Sequence, residues 1–550
     1  MTVIRSANKA NRLLAVVSAF GLVSGLSLVT GGSALAASGG SAGGGHQQAV
    51  VALAGGSAVT VPGVRVQALL PAVHSEIVTG DAASLAALAQ APGVLGVSPN
   101  AAAHLEGYGY GPAQRDNRWD HSDNGKHGNP HDAPSPADGG VLAASTLGGS
   151  AGQPGAGDGV TVALIDTGVT DTDALNRASG RLVDAVDTSG LNNDDGVIEE
   201  HGTFTDGYGH GTFMASLIAG GVVDGTGDLA LGVAPGATVD VVKVADDEGN
   251  TSLAAVLAGL NWVATHSDSV DVANLSLAVD RPSGQYGIDP LNFAVTLTRA
   301  AGVTVVVAAG NTPGVVGDPG FDPAALTVGA ADTTGDQAAV ASFSGYANVD
   351  GVAKPDVVAA GVNILGEMPD GALISQQHPT ARQPSGLFRG SGTSQSTALV
   401  SGLAALYLQA HEGASPYEVK AAIRGAATKV GNGKTDGQGL VAVPTGTAYD
   451  PSNTGEQGLN LAKWYSTANI WGPFWLGADP DTDAWNVRNW TVRNWTVRNW
   501  TARHWLARNW TARNWTARNW TARNWTVRNW TARNWTVRNW AAASWDGGVS

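Results

Sequence analysis

Val160-Thr161-Val162-Ala163-Leu164-Ile165-Asp166-Thr167-Gly168 decides the fold. Five of its first six residues are apolar and mostly β-branched, and the run ends on a carboxylate followed by glycine. A strand buried on both faces of a parallel sheet reads as such a continuous apolar run. In open α/β sheets the functional groups gather where strands end, so Asp166 stands at a place where chemistry is expected. Taken alone, the same Asp could simply turn the chain.

Working outward, two further islands carry reactive side chains. Gly207-Tyr208-Gly209-His210-Gly211-Thr212 runs into Phe213-Met214-Ala215-Ser216-Leu217-Ile218-Ala219-Gly220, a small and apolar helix-compatible stretch. Its glycines would let neighbouring backbone approach the imidazole. His201-Gly202-Thr203 repeats the same three letters but leads into no such helix, so His210 is preferred. Arg389-Gly390-Ser391-Gly392-Thr393-Ser394 opens the apolar helix that continues to Leu406, and Ser394 falls at its N-terminus, where developing negative charge is favoured. A serine beside glycine can equally be a helix cap. Together, a serine needs a histidine to take its proton, and the histidine needs a carboxylate to fix its tautomer. The chain supplies them in the order Asp, His, Ser, whereas an α/β-hydrolase would run Ser, Asp, His with Gly-x-Ser-x-Gly.

These motifs make the chain resemble the subtilisin-like serine proteases, the subtilases. Val305-Val306-Val307-Ala308-Ala309-Gly310-Asn311 adds a fourth match, and Asp271-Val272-Ala273-Asn274-Leu275-Ser276-Leu277 and Lys354-Pro355-Asp356-Val357 add two more, so that the likeness covers roughly 155–445. It implies an α/β, doubly wound, mostly parallel sheet and a serine endopeptidase acting through Asp166, His210 and Ser394. Asn311 would hold the oxyanion, and Ser276, Leu277, Ala278, Ala309 and Gly310 would bind a protein or peptide substrate as an added strand. Gln395, Ser396 and Ala398 depart from the usual Met, Ala and Pro behind the nucleophile, and Ala278 replaces a common glycine in the cleft. A rival reading keeps the same scaffold without turnover, as a surface-binding protein.

Residues 1–36 read as a signal peptide: Arg5, Lys9 and Arg12, then the apolar run Leu13 to Val29, then Ala34-Leu35-Ala36. Residues 46–105 resemble a small α+β propeptide that assists folding and inhibits. A polar linker follows over 106–145, the catalytic domain over 146–447, and a second linker over 448–480. Calcium commonly stabilises subtilases, but the acidic loop Asn192-Asn193-Asp194-Asp195-Gly196 has Leu191 and Gly202 where an EF-hand needs ligands, so no metal site is named.

Residues 481–550 are a different object. Trp recurs at every fifth position from Trp485 to Trp545, with Arg at every fifth position from Arg488 to Arg538. Eleven Arg against three Asp give this tail a charge of +8, so the other 480 residues carry −23 of the chain's net −15. A period of five keeps no single Trp stripe on a helix or a strand. Alternating Arg and Trp suits an anionic cell-surface or cell-wall polymer; a self-assembling tail is the other reading, and nucleic acid is not the expected partner. The expectation is a secreted zymogen retained at the cell surface. With no Cys among 550 residues, thiol catalysis, thiolate metal sites and disulfide stabilisation are all excluded.

Overall fold

The computed structural model describes residues 46–105, 140–192, 196–224, 226–279, 289–349 and 352–445. The signal region, most of the first linker, the second linker from residue 448 onward and the Trp/Arg tail lie outside the described residues.

The N-terminal segment is an antiparallel sheet with one helix. Its strands are β1 (Gln47–Leu53), β2 (Val64–Leu70), β3 (Ser75–Gly80) and β4 (Val94–Pro99), in the order β2-β3-β1-β4. Helix α1 (Ala82–Leu88) starts where the Asp81 side chain accepts the Ser84 N–H, and it buries Leu85 and Leu88 against Val51, Leu53 and Val78. A further short strand, β5 (Ala102–Leu105), leaves this sheet.

Residues 140–445 form an α/β unit. After β6 (Val141–Leu142), the central sheet is built from β7 (Thr161–Asp166), β8 (Leu182–Asp187), β9 (Thr238–Lys243), β11 (Val272–Leu275), β13 (Thr304–Ala308), β14 (Leu326–Asp332), β15 (Ala339–Val340) and the strand Val357–Ala360. Its order is β8-β9-β7-β11-β13-β14-β15, with Val357–Ala360 paired to β14; every pairing is parallel except that of β15. Two short strands, β10 (Thr251–Ser252) and β12 (Leu277–Val279), stand apart from this sheet.

Both faces of the sheet are covered, which is why its strands read as apolar throughout: Val162, Ala163, Leu164 and Ile165 are each at most 1% exposed. Helices α2 (His210–Ala219) and α6 (Thr393–Ala410) pack together, as do α3 (Leu253–Thr265) and α4 (Pro290–Ala300), and the short α5 (Leu373–Gln377) lies between α4 and α6 in the chain. The chain builds outward from β7 through β9 and β8 on one side and through β11, β13 and β14 on the other. The strand order therefore reverses beside β7, and that crevice is where an open parallel sheet binds ligands. Asp166 is the last residue of β7.

Candidate active site

Three element ends meet at the crevice. Asp166 Oδ1 accepts the backbone N–H of Thr167 at 2.9 Å and lies 2.7 Å from His210 Nδ1, with both side chains about 1% exposed. A carboxylate can only accept here, so it places the imidazole proton on Nδ1 and leaves Nε2 to act as a base.

The glycines around His210 are explained by what touches them. Gly209 adopts φ +106°, and a side chain there would collide with Met368 Sδ and Ala372 Cβ. A Cβ on Gly211 would meet the carbonyl oxygen of Gly168, the residue that turns the chain off β7 at φ +97°. The helix start and the strand end approach each other backbone to backbone, and that closeness lets a short Asp reach the histidine. His201, the repeated motif, is exposed in a loop.

Ser394 is the second residue of α6 and is fully buried. Its Oγ donates to the carbonyl of Ser276 at 3.2 Å, while Ser276 Oγ donates to the carbonyl of Ser394 at 3.3 Å. Ser394 is thereby tied to the residue that precedes β12. Behind it runs a buried polar chain: Asn274 Nδ2 donates to Ser276 Oγ at 3.0 Å, and Ser401 Oγ on α6 donates to Asn274 Oδ1 at 2.9 Å.

Asn311, four-hundredths exposed just beyond β13, accepts at Oδ1 from the Thr393 backbone N–H at 2.9 Å and from Thr393 Oγ1 at 3.2 Å. Its carbonyl end thus satisfies a first-turn donor of α6. That fixes the amide the other way round, with Nδ2 on the branch turned from Thr393. Ala309 and Gly310 are buried; the Ala309 carbonyl accepts from Gly317 N–H at 3.3 Å and the Gly310 carbonyl from Gly345 N–H at 2.7 Å.

The cleft edge is already paired. Strand β5 lies between β10 and β12, antiparallel to both, with Ala103 opposite Thr251 and Val279, His104 opposite Ala278, and Leu105 opposite Leu277. Ala103 and Leu105 are buried and His104 is half-buried, as expected for alternate residues of a strand laid across a surface. Leu277 and Ala278, named from sequence, stand within this pairing, and Ser276 immediately precedes it.

Sequence reasoning passed over several supporting residues. Lys243 at the end of β9 is 7% exposed and donates to the carbonyls of Thr167 at 2.8 Å and Thr205 at 3.0 Å, and to Asp247 at 3.2 Å. Asp206 is buried in the loop before α2, and burial pushes its carboxyl up despite the hydrogen bonds it accepts. Burial, aided by Asp166 and Asp206, likewise pushes the Tyr208 phenol up to about 12, so it stays neutral. The available signal was a carboxylate three residues ahead of a glycine that stands at the cap of a helix. Among the described residues no group of three or more His, Asp or Glu is placed to hold a metal, and residues 193–195 of the acidic loop lie outside them.

Comparison with known proteins agrees with this architecture. The chain is 32% identical over 292 residues to the serine protease AprX of Bacillus subtilis (strain 168), covering 50% of this chain and 63% of AprX. It is 32% identical to the M-protease of Shouchella clausii (strain KSM-K16), covering 53% and 65%. The first curated relatives are therefore matched over less than two thirds of their own length. Subtilisin Savinase of Lederbergia lenta, also 32% identical, is covered over 91% of its length. The crystal structure of fervidolysin from Fervidobacterium pennivorans, described as a keratinolytic enzyme related to subtilisin, shares the fold with a TM-score of 0.52 at 22% identity, over 76% of this chain and 61% of that one. Residues 157–440, just over half of the 550, match the subtilase family, and the chain belongs to that family.

Proposed function

We propose that this chain is a serine endopeptidase, made as an exported zymogen. The observation that carries the reading is the buried contact of 2.7 Å between Asp166 Oδ1 and His210 Nδ1 at the start of α2, which packs against α6, the helix whose first turn holds Ser394. In this mechanism His210 Nε2 takes the Ser394 proton as Oγ attacks the peptide carbonyl. Asp166 holds the tautomer and stabilises the imidazolium, and the proton then passes to the leaving amine. The Asn311 amide and the Ser394 backbone N–H would hold the tetrahedral oxyanion. The substrate would enter as a strand against β12 and β10, with backbone pairing for affinity and pockets for alternate side chains.

The pairing of β5 supports a propeptide role for residues 46–105, because that strand occupies the edge a substrate would use. Cleavage immediately beyond Leu105 would release it, and the burial of Ala103 and Leu105 favours substrates with a small residue and an aliphatic residue two positions apart. Residues 1–36 would direct export. The Trp/Arg tail would hold the enzyme on an anionic cell-surface or cell-wall polymer. Calcium would act only as a structural ion, and no described residues are assigned to it.

Casein zymography and fluorophosphonate labelling of wild type and Ser394→Ala test the chemistry; a correctly processed wild type that stays unlabelled would sink it. Intact mass and N-terminal sequencing of the secreted product test the rest. The expected mature N-terminus lies just after Leu105, and one that still contains Gln47–Leu105 refutes the propeptide role. A truncation near Asp479 tests the tail, whose retention role fails if the shortened protein leaves cell-wall fragments no faster than the full chain.

A further inference from the structure

The chemistry proposed above employs Asp166, His210, Ser394 and Asn311 and leaves one buried carboxylate beside them without a task. Asp206 is 3% exposed, and four donors converge on it. The Gly209 N–H at 2.6 Å and Thr167 Oγ1 at 2.7 Å reach Oδ1, while the Thr212 N–H and Thr212 Oγ1, both at 2.7 Å, reach Oδ2. The Thr167 hydroxyl, having donated to Asp206, accepts the Gly211 N–H at 2.8 Å.

These bonds form a second link parallel to the Asp166–His210 contact. The first joins the last residue of β7 to the first residue of α2; the second joins Thr167 to Gly211, one position further along on both elements. The need for it comes from the helix start. First-turn N–H groups require acceptors, and the cap position is normally a side-chain oxygen. Here the cap is Gly209, which Met368 and Ala372 keep free of a side chain. Thr167 serves the second N–H of the helix and Asp206 the third, so the carboxylate that finishes the helix also grips the residue next to the triad Asp. A negative group at this end is favoured by the helix dipole.

We propose that Asp206 is a positioning residue for the reaction, setting the separation of Asp166 and His210 through Thr167 and the first turn of α2. It touches neither substrate nor the reacting atoms. The inference rests on the endopeptidase reading.

The test compares Asp206→Asn, Thr167→Val and Thr167→Ser with wild type in the full chain, measuring kcat and KM on a peptide substrate after active-site titration, with thermal unfolding in parallel. Asn keeps an acceptor on one branch but turns its NH2 toward the donors on the other, either the Gly209 N–H and Thr167 hydroxyl or the Thr212 N–H and hydroxyl, and Val keeps the shape of Thr while removing the hydroxyl. Because a misplacement of ~1 Å can cost ~10²-fold in rate, both should lower kcat by about tenfold or more with KM changed by no more than about twofold. Thr167→Ser restores the hydroxyl and should restore most of kcat. A variant that accumulates as full-length precursor with an unchanged Tm also counts as lost chemistry. The proposal is overturned if Asp206→Asn and Thr167→Val keep kcat and only lower Tm, or if Thr167→Ser is as impaired as Thr167→Val. A wild type that neither labels nor turns over defeats the endopeptidase reading instead.

Discussion

Asp356→Asn, placed in a Ser394→Ala background so that self-digestion cannot interfere, should unfold the domain well below its parent's temperature. Asp356 is 2% exposed and three cations converge on it. Arg424 Nη1 lies at 2.5 Å from Oδ1, and Lys354 Nζ at 2.8 Å and Lys420 Nζ at 3.3 Å from Oδ2. Lys420 and Arg424 belong to α7 (Pro416–Ala426), and Asp356 immediately precedes the strand Val357–Ala360, so the carboxylate fastens α7 to the sheet. Removing one member of a buried ion pair costs ~3–5 kcal/mol, because the partner charge stays behind uncompensated. The lysines keep other acceptors, Lys354 the Ala325 carbonyl at 2.9 Å and Lys420 the carbonyls of Pro323 and Ala325 at 2.7 and 2.8 Å, so the same range serves for three cations. At about 2–4 °C per kcal/mol for a domain approaching this size, the drop in Tm at pH 7 is about 6–20 °C. Burial alone would raise the Asp356 carboxyl, but attraction to Lys354, Lys420 and Arg424 outweighs it and holds the group well below the usual carboxylate range. A depressed folded pKa contributes stability above the unfolded value of ~3.9 and loses it as pH falls through the folded value. Calorimetry should therefore show a constant gap between parent and variant from pH 8 to about 5 and a narrowing gap below about 4. A variant within about 2 °C of its parent at pH 7, or a gap that widens in acid, would refute the reasoning.

Other perturbations reach different parts of the molecule. Burial pushes the Asp322 carboxyl up to about 7, and its Oδ2 has no hydrogen-bond partner among the described residues. A raised folded pKa means stability is lost as pH rises through that value, so Asp322→Asn should gain Tm relative to wild type between pH 5 and pH 8, and a gap independent of pH would contradict this. Asn311→Ala should lower kcat ~10²–10³-fold with little change in KM, the magnitude known for the corresponding donor of a subtilisin; steady-state kinetics on a peptide substrate decide it, and an unchanged kcat removes Asn311 from the oxyanion role. Gly211→Ala drives a methyl group into the Gly168 carbonyl and should lower both Tm and kcat, since neither backbone can yield without opening the Asp166–His210 contact; full activity in a fluorophosphonate labelling assay would show that the two elements can separate freely.

What could be read in the sequence was what short stretches specify by themselves. Asp166 at the end of an apolar run and His210 and Ser394 at helix starts each carry local marks, and the parallel sheet accounts for why these ends converge although 44 residues separate the carboxylate from the imidazole. The pairing of β5 with β10 and β12 was not readable, because the backbone bonds that join the strands do not depend on their side chains and a strand of four residues is too short for its alternation to name a partner. Departures from the family text gained a reason only in three dimensions. Ser396, where Ala is usual, is fully buried, and its Oγ donates to the carbonyl of Ala359 at 3.0 Å, so a polar group in the core behind Ser394 is satisfied. Nothing in the structure explains Gln395.

The same limit bears on how a chain without cysteine holds together. Absence of Cys says which stabiliser is missing but not what replaces it. Lys354-Pro355-Asp356-Val357 could be matched as text, yet its energetic meaning depends on Lys420 and Arg424, the latter 68 residues further along and on another element. A disulfide would have tied these segments by a covalent loop; here a single buried carboxylate, shared among three cations of which the two lysines also donate to backbone carbonyls, joins α7 to the sheet. Such a joint differs from a cross-link in one respect that can be measured: it is insensitive to reductant but weakens in acid, in the pH range where Asp356 takes up its proton.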